Sequence, residues 1–145
     1  MPFNLLQNLR RRFNKSLAGL SQTKSNNKTK GHEGELEAYE FLRRKGYKIV
    51  AQNYRKRYGE IDLIGWDQDV LAFIEVKKRL GNSRGRPEEA VHRAKRKQIY
   101  RTANEYRVRH RLRDINYRFD VVSIQNHHGS DEWLLIKNAF TDDRR

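Results

Sequence analysis

Apolar residues along this chain follow two rhythms, one helical and one alternating. Leu36, Ala38, Tyr39, Phe41 and Leu42 recur at helical spacing and predict a helix. Gly46, following Arg43, Arg44 and Lys45, is a good place for that helix to stop. Residues 47–53 then read as a strand, with Tyr47, Ile49 and Ala51 on one face. Residues 59–66, GEIDLIGW, and residues 70–78, VLAFIEVKK, read as two more strands. The short turn 67–69 between them predicts a hairpin. A loop rich in Gly and Arg covers 81–87, and a long helix is expected over about 87–112. Pro87 suits its first turn, Glu88 and Glu89 would meet the positive end of the helix dipole, and Val91, Ala94, Ile99, Ala103 and Tyr106 would form its buried stripe. Strands at 117–125 and 132–137 complete the order: helix, three strands, helix, two strands.

The first 30 residues differ from the rest. Seven Lys/Arg and no Asp or Glu occur there, so half of the net charge of +14 lies in about a fifth of the chain. Phe3, Leu5, Leu6, Leu9, Phe13 and Leu17 allow a short amphipathic helix, and residues 21–30 read as a flexible polar linker. The expected organisation is a basic N-terminal arm over 1–30, one domain over 31–140 and a short tail over 141–145. A pI near 10.3 makes a polyanion the expected partner, nucleic acid before an anionic membrane surface. The absence of cysteine excludes disulfides, thiolate zinc sites and a cysteine nucleophile. No apolar run is long enough to span a bilayer, and the N-terminus lacks the apolar core of a secretory signal, so the cytoplasm is the expected location. There is no phosphate-cradling GxxxxGK[ST] motif.

Three charged residues interrupt the apolar strands. Glu75 and Lys77 lie two apart and so share a strand face, while Ile74 and Val76 point the other way. Asp62 sits between Ile61 and Leu63 on the neighbouring strand, and hairpin pairing would bring it near Glu75. Two buried carboxylates repel, and a divalent cation with hard oxygen ligands, Mg2+ or Mn2+, relieves the repulsion. A lysine beside such a cation can orient a water and stabilise charge on a phosphate, an apparatus for phosphodiester hydrolysis. An internal salt bridge of Lys77 with Asp62 or Glu75, with no catalysis, is the other reading of the same spacing.

GEIDLI followed by FIEVKKR resembles the PD-(D/E)XK nuclease superfamily and, more closely, the small bacterial proteins of the YraN-like family. The resemblance extends to Gly31 and Glu35 with Ala38, to Asn53-Tyr54-Arg55, to Lys97-Gln98, to 118–121 (RFDV) and to 138–140 (NAF), in that order along the chain. It implies an α/β, restriction-endonuclease-like fold with a mixed central sheet of about five strands flanked by helices. It implies Asp62 and Glu75 as metal ligands, Lys77 as the catalytic lysine, Glu35 as a further acid reaching the site, and Gln98 as a secondary candidate. Lys78 departs from the small or hydroxylic residue usual after the motif lysine.

The basic residues Arg55, Lys78, Arg79, Arg84, Arg86, Arg93 and Lys97 are the expected phosphate contacts. Tyr54, Tyr58 and Trp66 could stack on unpaired bases or belong to the core. Glu60 reads as a solvated edge residue, Asp120 as a structural acid paired with Arg118, and His127 and His128 as surface. The expectation is a metal-dependent endonuclease acting on DNA more than RNA, with branched DNA as a candidate substrate and a homodimer as a candidate assembly. A non-catalytic nucleic-acid-binding or adaptor protein with the same fold is the alternative.

Overall fold

The computed structural model describes residues 29–79, 85, 86, 89 and 91–142. The expected amphipathic helix of the arm, Arg84, Pro87 and Glu88 lie outside the described residues.

The chain enters through α1 (Thr29–Arg44), which takes in the last residues expected to be linker. Gly34, Ala38 and Leu42 recur every four residues and are buried. Leu36 is half exposed, because two residues from Ala38 is about 200° around a helix. Gly46, at φ 93°, ends the helix as expected, with the Tyr47 N–H donating back to the Leu42 carbonyl at 3.0 Å.

Five strands follow the expected order: β1 (Lys48–Lys56), β2 (Gly59–Asp67), β3 (Val70–Arg79), then, after α2 (Arg93–Arg109), β4 (Tyr117–His127) and β5 (Ser130–Phe140). They form one sheet in the order β1-β2-β3-β4-β5, in which β3 and β4 are parallel and all other neighbours antiparallel. The parallel step needs a crossover, and α2 lies in it. This mixed α/β sheet with helices is consistent with the restriction-endonuclease-like fold.

Alternation along the central strands divides the core in two. Leu71, Phe73, Phe119 and Val121 pack with Ile99, Tyr100, Ala103 and Tyr106 of α2. Ala72, Ile74, Val122 and Ile124 pack with Ala38 and Leu42 of α1. Strands buried on both faces must be apolar at both parities, which explains the continuous runs in β3 and β4. One parity expectation fails: Ala51 packs on the α2 side while Tyr47 and Ile49 pack on the α1 side. A register shift between Ile49 and Ala51 accounts for the switch.

The second helix is shorter than the spacing suggested. It starts at Arg93 with no acid in its first turn, so Glu89 does not take the dipole role expected of it. Val91 is buried, but ahead of the helix, and Ala94 is exposed. Arg111, at φ 57°, turns the chain out of the helical path after His110.

Away from the predicted site, Asp120 is fully buried and satisfied. It accepts from the Tyr47 hydroxyl, the Arg118 Nε and the Asn138 backbone N–H, each at 2.9 Å. Arg118 also donates to Asp67, whose carboxylate takes Lys137 Nζ at 2.7 Å. The structural role read for Asp120 holds.

Candidate active site

β2 and β3 pair in register from Asp67↔Val70 back to Leu63↔Ile74. One step further the register would set Asp62 opposite Glu75, and there the ladder stops. Instead the Val76 N–H donates to Asp62 Oδ2 at 2.7 Å. Packing changes at the same point: Ile61 belongs to the α2-side cluster and Leu63 to the α1-side cluster. On the other flank, the β1–β2 pairs Gln52↔Leu63 and Tyr54↔Ile61 bracket Asn53 beside Asp62. Asn53 adopts φ 49°, a left-handed conformation that Asn tolerates, and its amide donates to Glu35 Oε2 at 2.8 Å.

Asp62 and Glu75 are 8% and 4% exposed, so both carboxylates are withdrawn from water. Lys77 Nζ lies 3.2 Å from Glu75 Oε1, and Lys95 Nζ reaches the same oxygen at 3.7 Å from α2. Glu75 Oε2 is buried with no hydrogen-bond partner. Burial, reinforced by the charge of Glu75, pushes the Asp62 carboxyl up to about 7. The Val76 N–H and Lys95 oppose that rise, and Glu35 adds to it. The salt bridge between Lys77 and Glu75 is therefore real, but it leaves one carboxylate oxygen bare and a second carboxyl short of positive charge.

Among the described residues no three His, Asp or Glu side chains gather into a metal-binding group. Glu35 is held by Asn53 at the edge, near enough to act on Asp62 through its charge. Two carboxylates suffice for Mg2+ or Mn2+, which take oxygen ligands and keep several waters. The orphaned Glu75 Oε2 and the reluctance of Asp62 to ionise are what a site lacking a positive charge would display. The donor chemistry of this buried carboxylate pair is compatible with such a cation.

The remaining expected residues are more scattered. Gln98 is exposed on α2 and packs against the start of β2: a Cβ on Gly59 would come within 2.9 Å of the Gln98 Cβ. Lys78, Arg86, Arg93 and Lys97 are exposed. Arg79 donates to the Gly85 carbonyl at 3.0 Å, and Arg55 pairs with Glu60 at 2.8 Å, so Glu60 is a salt-bridge partner rather than simply solvated. Of the three aromatic residues considered for stacking, Trp66 is 8% exposed and Tyr54 meets Tyr106 edge-on at 5.1 Å; both are core. Tyr58 is exposed.

Lys95 is the site residue that sequence reasoning did not bring to the carboxylates. A signal existed: it lies one helical turn before the buried Ile99, on the face turned toward the sheet.

The profile of the Uncharacterised protein family UPF0102 matches residues 34–124, which include α1 from Gly34, the hairpin, α2 and most of β4. The chain belongs to this family. A UPF0102 protein of Clostridium tetani is 43% identical over 118 residues, 80% of this chain and 97% of the relative. Another, of Symbiobacterium thermophilum, is 47% identical over 113 residues, 76% of this chain and 94% of the relative. A third, of Clostridium kluyveri, is 43% identical over 116 residues, 79% of this chain and 95% of the relative. The matched span contains Glu35, Asp62, Glu75, Lys77 and Lys95, so the whole candidate site lies within the UPF0102 region. Among the described residues no helix is long and apolar enough to cross a membrane.

Proposed function

We propose that this UPF0102 protein is a divalent-metal-dependent endonuclease that hydrolyses phosphodiester bonds in nucleic acid, DNA before RNA. The observation that carries the reading is the bare, buried Oε2 of Glu75 beside an Asp62 that resists ionisation. A pair of carboxylates kept from water is unfavourable unless a cation compensates it.

Asp62 and Glu75 would hold Mg2+ or Mn2+. When bound, such a cation supplies Lewis acidity toward a phosphoryl oxygen and makes water a better nucleophile. The Val76 N–H fixes one oxygen of Asp62 and so orients that carboxylate from β3. Lys77 and Lys95 hold Glu75 through its other oxygen and place two positive charges where the negative charge of a phosphodiester grows during attack. The net charge of +14 draws a polyanion to the surface, and exposed Lys78, Arg86, Arg93 and Lys97 are available for its phosphates.

The test uses purified protein with nicked, flapped, single-stranded and four-way DNA in Mg2+ or Mn2+. Cleavage that is lost in Asp62→Ala supports the reading. No cleavage of any substrate, and no difference from Asp62→Ala, would overturn it in favour of a binding protein that keeps the fold.

A further inference from the structure

The turn between β1 and β2 ends in an aromatic side chain that the core does not use. Tyr58 is 49% exposed, and the Arg101 guanidinium carbon stands 5.9 Å from its ring centroid. Two contacts fasten this turn to α2. Gly59 is pressed so closely against Gln98 that a Cβ would clash, and Lys56 Nζ is 3.8 Å from Glu105. The same helix carries Lys95 to Glu75. Lys95, Gln98 and Arg101 follow one another at three-residue spacing, so they form a polar ridge leading from the carboxylates to Tyr58.

We propose that Tyr58 and Arg101 form a base-stacking platform, and that the site accordingly takes nucleic acid with an unpaired base close to the phosphate it engages. The proposal names a substrate class and rests on the nuclease reading for the phosphate's position. From Gly59 to Asp62 the strand covers about 10 Å, which is about three nucleotides at the rise of a stacked strand. Inside a duplex the faces of the bases are covered by their neighbours. A tyrosine on an anchored turn therefore meets a base face only where the strand is single, flapped or frayed. Arg101 adds a positive charge beside the ring, which favours both base stacking and the adjoining phosphate.

The experiment measures binding without turnover, using the full chain in EDTA. The probes are a single-stranded oligonucleotide containing 2-aminopurine and a blunt duplex of the same sequence. Tyr58→Ala should weaken single-strand binding about tenfold and abolish the fluorescence change of 2-aminopurine, in line with the usual worth of one stacked base. Tyr58→Phe should keep both, and neither variant should alter duplex binding. Equal losses on the two probes, undiminished single-strand binding by Tyr58→Ala, or binding to duplex alone would each overturn the platform. Tyr58-dependent binding by a protein that cleaves nothing would uphold the platform and remove the nuclease reading. Cleavage indifferent to Tyr58 would do the reverse.

Discussion

Asp62 and Val76 are joined by a 2.7 Å side chain-to-backbone hydrogen bond at the step where pairing between β2 and β3 ends. The carboxylate takes the place of a ladder carbonyl, so the acid proposed to bind metal also ties two strands together. That double role explains how the charge is tolerated at all. A buried carboxylate needs a donor, and a strand that loses its partner needs an acceptor.

The pH dependence of stability follows from Asp62. Its native pKa is raised, to about 7, chiefly by burial and then by Glu75. A raised acid pKa stabilises the fold fully below the ordinary carboxylate value, and the contribution is lost as pH rises. Metal-free protein should therefore lose stability between about pH 4 and about pH 7, by an amount on the order of 4 kcal/mol. Asp62→Asn keeps an acceptor for Val76 and removes the charge. In thermal melts it should match the parent near pH 4 and exceed it at pH 8. Millimolar Mn2+ should raise the melting temperature of the parent at pH 8 and leave Asp62→Asn unmoved.

The hairpin, its charged residues and the order of all seven elements were legible because alternation in 59–66 and 70–78 is strong and the turn is short. Strand parity placed Glu75 with Lys77 correctly for the same reason. Three things were not legible. The register shift before Ala51 inserts an irregularity that parity cannot register. The start of α2 was drawn too early, because Pro87 and the two glutamates imitate a helix start while His92, which caps the helix, makes no side-chain capping bond. The convergence of Lys95 on Glu75 joins residues 20 apart in the chain; helical spacing from Ile99 turns Lys95 toward the sheet, but only the crossover packing of α2 names its partner.

The two lysines on Glu75 should be separable by kinetics. Lys77 is closer, at 3.2 Å, and belongs to the same strand face as its partner. Lys77→Met is expected to lower the cleavage rate by about a hundredfold or more, the usual scale for a positioned proton-transfer or charge-stabilising group. Lys95→Met removes a charge at 3.7 Å and should cost about tenfold, less than the loss of a close donor. Single-turnover rates at saturating Mg2+ measure both, with circular dichroism confirming that each variant is folded. Equal effects would mean that the two ammonium groups act as one.

Salt titration tests the exposed cations. If Arg93 and Lys97 each contact one phosphate, replacing either by Ala should flatten the plot of log affinity against log salt by about 0.9 for duplex or 0.7 for a single strand. Arg55 already pairs with Glu60, so Arg55→Ala should change the slope less. Filter binding across a range of NaCl concentrations distinguishes these cases.

Gly59→Ala probes the contact between the β1–β2 turn and α2. A Cβ there would lie 2.9 Å from the Gln98 Cβ, and the backbone φ of 154° adds strain. The helix and the turn would have to separate, at an expected cost of about 1–3 kcal/mol, typical of overpacking. Gln98→Ala in the same chain should not restore stability, because alanine keeps the Cβ that clashes. Denaturant melts of the single and double variants check this. Rescue by Gln98→Ala would show that the contact is with the end of the side chain instead.

The Asp120 network supplies a further stability effect. Asp120 has no exposure and satisfies three donors on three segments: Tyr47 after α1, Arg118 on its own strand and the Asn138 backbone on β5. Asp120→Ala leaves the phenol and the amide without an acceptor and strips Arg118 of one of its two carboxylates. Breaking a buried pair from one side typically costs about 3–5 kcal/mol, mostly through the groups left behind. Arg118 retains Asp67, which should hold the loss to the lower part of that range. Asp120→Asn should fall between the two proteins, since its amide oxygen still accepts while its –NH2 meets the donors of Arg118. Urea unfolding measures the series. A loss below about 1 kcal/mol for Asp120→Ala would mean that water replaces the carboxylate and that the network contributes little to stability.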